Sequence, residues 1–446
     1  MTIQLDNKIE SYVIGLNELQ NSFLKNNPQW LSNIRSDSIK NFSKLGFPTL
    51  SDEDWRFTNL APITRNSFKI VENGASSINQ SQVAAFSFRS LDCHQLVFVN
   101  GRFASELSSV GETAEGLIIK NLSNAIIENS EIIENHLTKY ADFENDAFIS
   151  LNTSYFEDGV FIYVPKSQIV ERPVHVLYIS GDDAESSFVN PRNLIIAGDN
   201  SQVKVVEHYV STSENVYFSN VVTELVVGEN ANVEHYMIEL ESRKAFNIST
   251  LRAQQERSSN ITSHSILVGG SIVRNNVHPV LNGEGCNSNI NGLFMSNDRQ
   301  HMDNFMRVEH AKPRCDSRQF YNGILDDRSR GVFHGRIIVH EGAMLTDAKQ
   351  TNRNLLLSDT AQIDTKPQLE IYNDDVKCTH GATIGQMDED ALFYLQSRGI
   401  PRKEAQAIML QAFTYETLDS MTIEPIKNSL EKMIVDWFES RFNSKD

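Results

Sequence analysis

The chain has 446 residues, of which 58 are acidic and 40 are basic, giving a formal net charge of −18. Because so acidic a surface repels phosphate backbones and anionic lipid headgroups, this composition argues against nucleic acids and membranes as partners. No run approaches the ~18 apolar residues of a membrane span, and no basic segment followed by an apolar run opens the sequence, so we expect a cytoplasmic protein.

The cysteines are too few and too far apart for a disulfide framework, and none forms a CxxC pair. This pattern is typical of a compartment that keeps thiols reduced. The four cysteines are Cys93, Cys286, Cys315 and Cys378.

Residues 1–155 are predicted to form an N-terminal domain of mixed, mainly helical structure. Apolar residues recur at helical spacing near the start, and Ser51–Asp54 resembles a helix start. The acidic cluster there favours helix-start charge on a solvated face over a metal site. Residues 95–103 predict strand, turn and strand. The first helical stripe comprises Ile9, Tyr12, Val13, Leu16 and Leu19.

Residues 156–377 are predicted to form an all-β core of short strands separated by polar turns. Two matches suggest an internal repeat: residues 197–205 resemble 227–235, and the tetrapeptide VEHY at 206–209 recurs at 233–236. The second match would stack His208 on His235 as a ladder. A repeat of this size favours a parallel β-solenoid, with a β-sandwich as the alternative that the turn spacing also allows.

The most informative stretch runs from Ile371 to Ile400 and passes from a strand pattern into a helix. Cys378 and His380 lie two residues apart, so in an extended chain both side chains face the same side. They would present one sulfur and one nitrogen to a common ligand. On spacing alone, a buried cysteine and a hydrogen-bonded histidine at a domain junction is the competing interpretation. We expect Gly381 and Gly385 to allow a change of chain direction.

Residues 378–446 are predicted to be a helical C-terminal domain. Asp388 has the chemistry of an N-terminal cap, Gly399 ends that helix and Pro401 begins the next. Each of the two following helices carries an apolar stripe, which either packs in the core or docks a partner. The stripes comprise Ala405, Ile408, Met409, Ala412 and Phe413, and then Ile426, Leu430, Met433, Ile434, Trp437 and Phe438.

Sequence motifs of common enzymes are absent. The chain has no GxxxxGKS or GxxxxGKT phosphate loop, no HExxH and no GxSxG, so any ATP hydrolysis belongs to a partner. His334 and His340 are weaker ligand candidates, and filling or capping the solenoid is favoured for both. Cys286 and Cys315 are interpreted as structural or surface thiols.

The string DDVKCTHGATIGQMDEDALFYLQSRGI, which covers residues 374–400, resembles the C-terminal signature of the SufB/SufD family of iron–sulfur cluster assembly scaffolds. The resemblance extends upstream to GVFHGR at 331–336, AKQTNRNLLLS at 348–358 and KPQLEI at 366–371. DEDWRFTNL at 52–60, together with the scarcity of cysteines in the N-terminal half, is similar to the SufD branch.

The resemblance implies a right-handed parallel β-helix flanked by helical domains. It implies a non-catalytic subunit that pairs with a SufB-like paralogue through the β-helix and docks a SufC-like ABC ATPase with its C-terminal helices. It places His380, and more weakly Cys378, at the SufB interface where the cluster assembles, as transient iron ligands. No cofactor would be stably bound by this chain, and whether a reduced flavin joins the complex stays open.

Three alternatives remain at this point. A homodimeric SufB-like scaffold is the nearest, and the isolated chain is itself a candidate homodimer. A β-helix polysaccharide lyase or hydrolase would carry clustered catalytic carboxylates and a secretion signal, neither of which is evident. A solenoid that only mediates protein contacts would show no dependence on iron.

Overall fold

The N-terminal region holds short helices and three strands in the computed structural model, which describes residues 27–69, 78–181 and 186–443. Residues 95–103 form the predicted strand, turn and strand. The helical stripe predicted within residues 9–19 lies outside the described residues. The elements are α1 Gln29–Leu45, a 3-10 turn Glu53–Trp55, α2 Ala61–Thr64, α3 Gln80–Phe86, β1 His94–Val99, β2 Arg102–Phe103, a 3-10 turn Ser105–Leu107, β3 Ile118–Asn121, α4 Leu122–Glu128, α5 Ser130–His136 and α6 Ala147–Tyr155.

The centre of the molecule is a parallel β-solenoid, as predicted, and not a sandwich. Its strands are β4 Val160–Val164, β5 Val174–Ser180, β6 Phe188–Val189, β7 Arg192–Ala197, β8 Gln202–Ser211, β9 Phe218–Val227, β10 Asn232–Leu240, β11 Phe246–Gln255, β12 Asn260–Leu267, β13 Ile272–Leu281, β14 Asn287–Ser296, β15 His301–His310, β16 Asp316–Leu325, β17 Arg330–Val339, β18 Thr346–Leu356, β19 Gln362–Ile371 and β20 Val376–Gly385.

The strands alternate between two facing sheets, so that two successive strands make one coil. The first sheet has the order β2-β1-β5-β8-β10-β12-β14-β16-β18-β20, and the second runs β19-β17-β15-β13-β11-β9-β7-β4-β3, with β6 paired to β9. Neighbouring strands from β4 to β20 pair in parallel. Stacking of each coil on the last therefore buries a core that no single coil can bury alone.

The coils share one corner, which explains the polar turn repeat in the sequence. Ahead of β5, β8, β10, β12, β14, β16 and β18 in the first sheet a residue adopts positive φ, and its N–H donates to a carbonyl of the following coil at 2.7–3.1 Å. The match between residues 197–205 and 227–235 is confirmed as structural, because Val203 pairs with Val233. The corner residues are Ser167, Asn200, Asn230, Ser258, Gly285, Arg314 and Leu345.

The second sequence match is wrong as a structural register. His208 pairs with Ile238, and His235 pairs with Val205 and Ser263. The two histidines also face opposite sides of the sheet, since His208 stacks on Phe88 outside the solenoid and His235 contacts Glu207 at 3.0 Å inside it. The two VEHY tetrapeptides are separated by three residues fewer than the structural register between β8 and β10. A shift by an odd number of residues places every side chain on the opposite face of the strand.

Alternate side chains of each strand enter the space between the sheets, and we call this side the inner face. Valine, leucine and aromatic residues of both sheets form the largest buried cluster there, including Val203, Val233, Ile261, Phe294 and Phe333. Fully burying such a side chain contributes about 1.5–3 kcal/mol. The inner face thus holds the coils in register.

Three helices follow the solenoid: α7 Glu389–Ser397, α8 Arg402–Asp419 and α9 Glu424–Asn443. The predicted helix signals are confirmed. The Asp388 carboxylate accepts hydrogen bonds from the backbone N–H of Asp390 and Ala391, Gly399 has φ +87°, and Pro401 precedes α8. None of the described helices is both long and apolar enough to cross a membrane.

The apolar stripe of α9 is core, because it packs on the outer face of the first sheet. Five of its six predicted residues are buried: Ile426, Leu430, Ile434, Trp437 and Phe438. The stripe predicted for α8 is confirmed only in part: Ala405 is buried and Phe413 is partly buried against the same cluster. Leu410 and Leu418 are buried there, whereas Ile408 is 40% exposed and Ala412 is exposed, because α8 turns a different side toward the sheet.

Candidate functional site at the open end of the solenoid

Cys378 and His380 lie in β20, the last strand of the first sheet. Their register partners in β18 are Ala348 and Gln350. Both partners are buried on the inner face, where Ala348 packs with Ile337 and the Gln350 side-chain amide donates to the Gln319 side-chain oxygen at 2.8 Å. Paired residues of parallel strands face the same side. The prediction that Cys378 and His380 share one side is therefore confirmed, and that side is the inner face.

Strand β20 continues through both glycines that follow the histidine. It crosses the division at 377/378 that the sequence suggests, so the Cys378–His380 pair belongs to the solenoid and not to the helices. Neither Gly381 nor Gly385 has positive φ, and Gly381 lies inside the strand. The change of direction expected at Gly381 is therefore wrong, and the chain leaves the sheet only after Gly385.

The two candidate side chains differ in exposure. The Cys378 thiol is half-buried against a small apolar cluster that includes Val339, Ala343 and Ala348. Desolvation raises the pKa of the Cys378 thiol, and the nearby Asp347 carboxylate raises it further, although the Ala348 backbone N–H opposes both. His380 is exposed. The competing interpretation of a buried cysteine beside a hydrogen-bonded histidine does not describe this pair.

One thiol and one imidazole do not complete a metal site. Iron–sulfur clusters and zinc usually take four ligands. Within residues 27–69, 78–181 and 186–443, no group of three or more histidine, cysteine or acidic side chains is arranged to hold a metal ion. Among the described residues the pair is therefore an incomplete donor set.

The strands of the last coil are the terminal strands of both sheets. β20 ends the first sheet and β19 ends the second, so each has one free edge among the described residues. The side chains of this last coil are also largely exposed. β19 is half-exposed along most of its length, and β20 is exposed from Thr379 to Gly385. Ile371 is 40% and Ile384 52% exposed.

The backbone groups of Cys378 and His380 point to the free edge of β20. The Asp375 carbonyl accepts from the Leu345 N–H at 2.7 Å, so Asp375 faces β18. Backbone groups alternate along a strand, so residues an even number apart face the same neighbour. The even-numbered residues of β20 thus direct their backbone N–H and C=O groups to the free edge. The side chains of these same residues lie on the inner face.

The other edge strand, β19, forms two ion pairs through its side chains and contains a proline. Arg330 pairs with Asp364 at 2.7 Å, and Lys366 pairs with Glu53 at 2.7 Å. Pro367 has no N–H to donate. Gln362 and Tyr372 both donate backward to the β17 side, so the odd-numbered Pro367 faces the free edge, where proline is tolerated. β19 therefore offers one donor fewer to a pairing strand than β20.

The other histidine candidates do not join this pair. His334 is buried on the outer face, beside the Phe305 ring and 2.6 Å from the Gln368 side-chain oxygen. His340 follows β17 and lies 2.9 Å from a carboxylate oxygen of Glu309, whose other oxygen lies 2.7 Å from His278. Both histidines thus have partners within their own coil or the adjacent one.

The N-terminal acidic motif is a docking element on the second sheet. Trp55 covers the guanidinium of buried Arg274 at 3.8 Å, and Arg274 forms an ion pair with Asp303. The Thr58 hydroxyl donates to the same Asp303 carboxylate at 2.5 Å. The motif thus fixes the N-terminal region to the solenoid, in line with the preference for a non-metal role.

A second exposed feature lies on α7 and α8. Phe393 is 72% exposed, Tyr394 58% and Tyr415 58%. Ile408 of α8 is exposed as well, and we refer to these four exposed side chains collectively as the helical aromatic patch. A groove between α8 and α9 lies beside it, lined by Gln411, Thr414, Tyr415, Leu418, Glu431 and Ile434. Adjacent aromatics in a short polar helix are the only sequence signal for this patch.

Comparison with known proteins covers almost the whole chain. Residues 178–413 match the family model described as SUF system FeS cluster assembly, SufBD core domain, and residues 7–176 match the SufBD protein N-terminal region. The chain is 31% identical over 414 residues to an iron–sulfur cluster assembly SufBD family protein of Synechocystis, covering 91% of this chain and 90% of that protein.

Two further relatives are named as iron–sulfur cluster assembly protein SufD. The Escherichia coli protein is 31% identical over 394 residues, covering 88% of this chain and 89% of the relative. The Bacillus subtilis protein is 27% identical over 418 residues, covering 91% of this chain and 94% of the relative. These similarities include both the solenoid and the strand that carries Cys378 and His380.

Proposed function

The chain belongs to the SufBD family of the SUF system for iron–sulfur cluster assembly, and we propose that it acts there as a SufD-type, non-catalytic scaffold subunit. One observation carries the proposal: the last coil is an open double edge, and its inner face presents a thiol and an imidazole beside the unpaired backbone. An incomplete donor set at an unpaired edge is what a cluster shared between two chains requires.

The proposed partner at this edge is a SufB-like paralogue with a solenoid of its own. Exposed strand edges pair readily with another strand, and edge pairing extends a sheet without new folding. Strand β20, which lacks proline, supplies the fuller row of donors and acceptors. Exposed Ile371 and Ile384 add apolar surface that pairing would cover. The same edge on a second copy of this chain is the alternative occupant.

Cys378 and His380 would act at this interface as transient donors to iron and sulfide, which are cargo and not resident cofactors. A thiolate is a soft iron ligand, and a neutral imidazole can complete the coordination of a cluster. Because burial raises the pKa of Cys378, iron must displace a proton from it. That requirement favours His380 as the first donor and Cys378 as the second. The partner would supply the remaining ligands.

The helical aromatic patch is the proposed docking surface for a SufC-like ATPase. The stripe of α9 is already buried against the first sheet, so it is not free to bind. Phe393, Tyr394, Ile408 and Tyr415 remain exposed, and aromatic side chains are the residues that most often anchor interfaces. ATP-driven movement of docked ATPases would then reach the last coil through α7, which follows β20 directly.

The proposal is tested by anaerobic co-expression with SufB-like and SufC-like partners from the same source, followed by native mass and iron–sulfide analysis. We expect a complex with one copy of this chain, one SufB-like chain and two ATPases. His380→Ala should lower cluster content several-fold and leave the complex assembled. His340→Ala is the matched control, since this histidine lies on the preceding coil and pairs with Glu309.

Three outcomes would each overturn a part of this proposal. Normal cluster content in His380→Ala, with the complex intact, would remove His380 from the assembly site. A chain that stays alone and free of iron in the presence of both partners would leave only a solenoid for protein contacts. A homodimer formed through β20 would instead support a SufB-like scaffold role.

A further inference from the structure

A column of small, fully buried side chains runs along the solenoid beside the left-handed corner. Each member directly follows a corner residue and is at most 1% exposed. Serine, alanine and threonine fill this position in some coils, whereas two successive coils carry cysteine. The column comprises Ser201, Ala231, Ser259, Cys286, Cys315 and Thr346.

The two cysteines are stacked on one another. They immediately precede Asn287 and Asp316, which are register partners in β14 and β16. Neighbouring strands lie about 4.8 Å apart, within the ~4.4–6.8 Å between α-carbons that disulfides span. Both sulfurs also lie 3.2 Å from the same atom, the Gly283 carbonyl oxygen. The two sulfurs therefore converge on one point.

The surroundings distinguish the two thiols. A hydrogen bond from the Cys315 thiol lowers the pKa of Cys286 to about 7, and the Ser259 hydroxyl also donates to the Cys286 sulfur. The same hydrogen bond raises the pKa of Cys315. Cys286 is thus the thiol that more readily becomes a nucleophilic thiolate. The corner residues Gly285 and Arg314, directly before the thiols, are exposed, so the path to solvent is short.

We propose that Cys286 and Cys315 form a redox-active dithiol, which a peroxide oxidises to an intramolecular disulfide that joins two successive coils. The Cys286 thiolate attacks one peroxide oxygen, the O–O bond breaks, and a sulfenic acid forms as hydroxide leaves. The Cys315 sulfur then attacks the Cys286 sulfur, forming the S–S bond. The sulfenic oxygen leaves as water with the Cys315 proton. The pair loses two electrons, and the peroxide takes both.

The competing interpretation is that both cysteines only fill the column as small side chains. The other coils show that serine and alanine fit the same position, so Cys286→Ser and Cys315→Ser are expected to fold. That tolerance makes the two interpretations separable. A filling role predicts no covalent product, and a dithiol predicts one that requires both residues.

The test uses the full chain, reduced under nitrogen, freed of reductant and treated with stoichiometric hydrogen peroxide. After alkylation of free thiols, peptide mass analysis should show one cross-linked peptide pair containing Cys286 and Cys315, which a dithiol reductant restores. The intact protein should carry two fewer alkyl groups. Cys93→Ser and Cys378→Ser should retain the cross-link, whereas Cys286→Ser and Cys315→Ser should each lose it.

A second measurement uses stability. The disulfide closes a one-coil loop, so the oxidised wild type should melt several degrees above the reduced form, while both column variants should melt at the same temperature with or without peroxide. Oxidation at Cys93 or Cys378 without the cross-link would overturn the proposal. So would a Cys286 that peroxide converts only to the sulfinic acid, or leaves unmodified while the chain stays folded.

Discussion

The two ends of the solenoid are built from the same pair of sheets but finished differently. At the start, the chain covers its own edges: β2 runs antiparallel to β1 on one sheet, and β3 runs antiparallel to β4 on the other. At the finish, β19 and β20 are left as parallel terminal strands with no described strand beyond them. We refer to these as the capped end and the open end.

Burial follows the same contrast. Every residue of β1 except Gln95 is buried, and Phe98 stacks on Tyr178 of the next coil with ring centroids 4.9 Å apart. No residue of β20 is buried. Exposed edges are normally blunted or covered in soluble proteins. Among the described residues the chain thus covers one end by itself and leaves the other uncovered, and the proposed partner would cover that open end.

The largest expected effect tests whether only the capped end contributes to the stability of the isolated chain. Phe98→Ala should lower the free energy of unfolding by about 3–5 kcal/mol, because it removes a fully buried ring and leaves a cavity. Ile384→Ala at the open end should change it by no more than about 0.5 kcal/mol. Urea unfolding of both variants measures the difference.

Equal losses in the two variants would contradict the contrast. They would mean that Ile384 is covered in solution, as in a homodimer formed through the last coil. Repeating the measurement over a range of protein concentration separates these cases, because only a dimer gives a concentration-dependent midpoint.

The second prediction concerns acid and the capped end. His175 in β5 is fully buried, stacks on His208 and lies beside Phe88, and desolvation lowers the pKa of His175 to about 4. In the unfolded chain His175 binds a proton near pH 6.5. Between pH 6.5 and 4 this histidine is therefore protonated in the unfolded chain and neutral in the folded chain. Burial of neutral His175 thus has no cost above pH 6.5. As the pH falls from 6.5 toward 4, it lowers the free energy of unfolding by roughly 3 kcal/mol.

Hydrogen exchange followed by mass spectrometry checks this prediction strand by strand. Protection of β1 and β5 should fall between pH 6.5 and 4 after correction for the intrinsic exchange rate. In His175→Gln the same peptides should show a weaker pH dependence. An unchanged pH dependence in that variant would assign the acid sensitivity to other buried histidines, such as His264 or His301, whose pKa values burial also lowers.

The third prediction separates the open edge from the fold. Ala382 is exposed, and its backbone N–H faces the free edge, so Ala382→Pro should remove one donor to a partner and leave the pairing with β18 intact. Binding to the SufB-like chain should weaken at least about tenfold, or 1.4 kcal/mol, in a titration. Thr383→Pro is the matched control: its N–H faces β18, so it should destabilise the isolated chain.

Much of the fold was predictable from local patterns. The corner repeat at Asn200 and Asn230 marks real coils because a residue with positive φ must recur at each turn. The VEHY match misled because a solenoid coil need not have constant length, and His208 and His235 consequently face opposite sides. The stripe on α8 was right for Ala405 and Phe413 and wrong for Ile408 and Ala412, because the side that a helix buries depends on the sheet beneath it.

The candidate site was predictable only in part. Spacing alone placed Cys378 and His380 on one side of a strand, since that follows from the geometry of any extended chain. It could not show that this side opens at the last coil. Exposure depends on whether another segment covers β19 and β20, and that is a tertiary property. The family resemblance supplied the expectation of an interface, and the uncovered edges give it a physical basis.

The smallest expected effect tests why a glycine follows the histidine in an open strand. A β-carbon at Gly381 would meet no other atom within 4 Å, and the residue does not need positive φ. Gly381→Ala should therefore stabilise the isolated chain by about 0.4–1 kcal/mol, by restricting the unfolded state. Glycine in a strand also marks places where another backbone approaches closely. If the partner strand lies there, the same variant should weaken the complex while stabilising the monomer.

Gly292→Ala is the internal comparison, because its β-carbon would overlap the Tyr321 ring and should destabilise the monomer itself. A Gly381→Ala variant that strengthens both monomer and complex would show that the partner does not approach the open end at this residue.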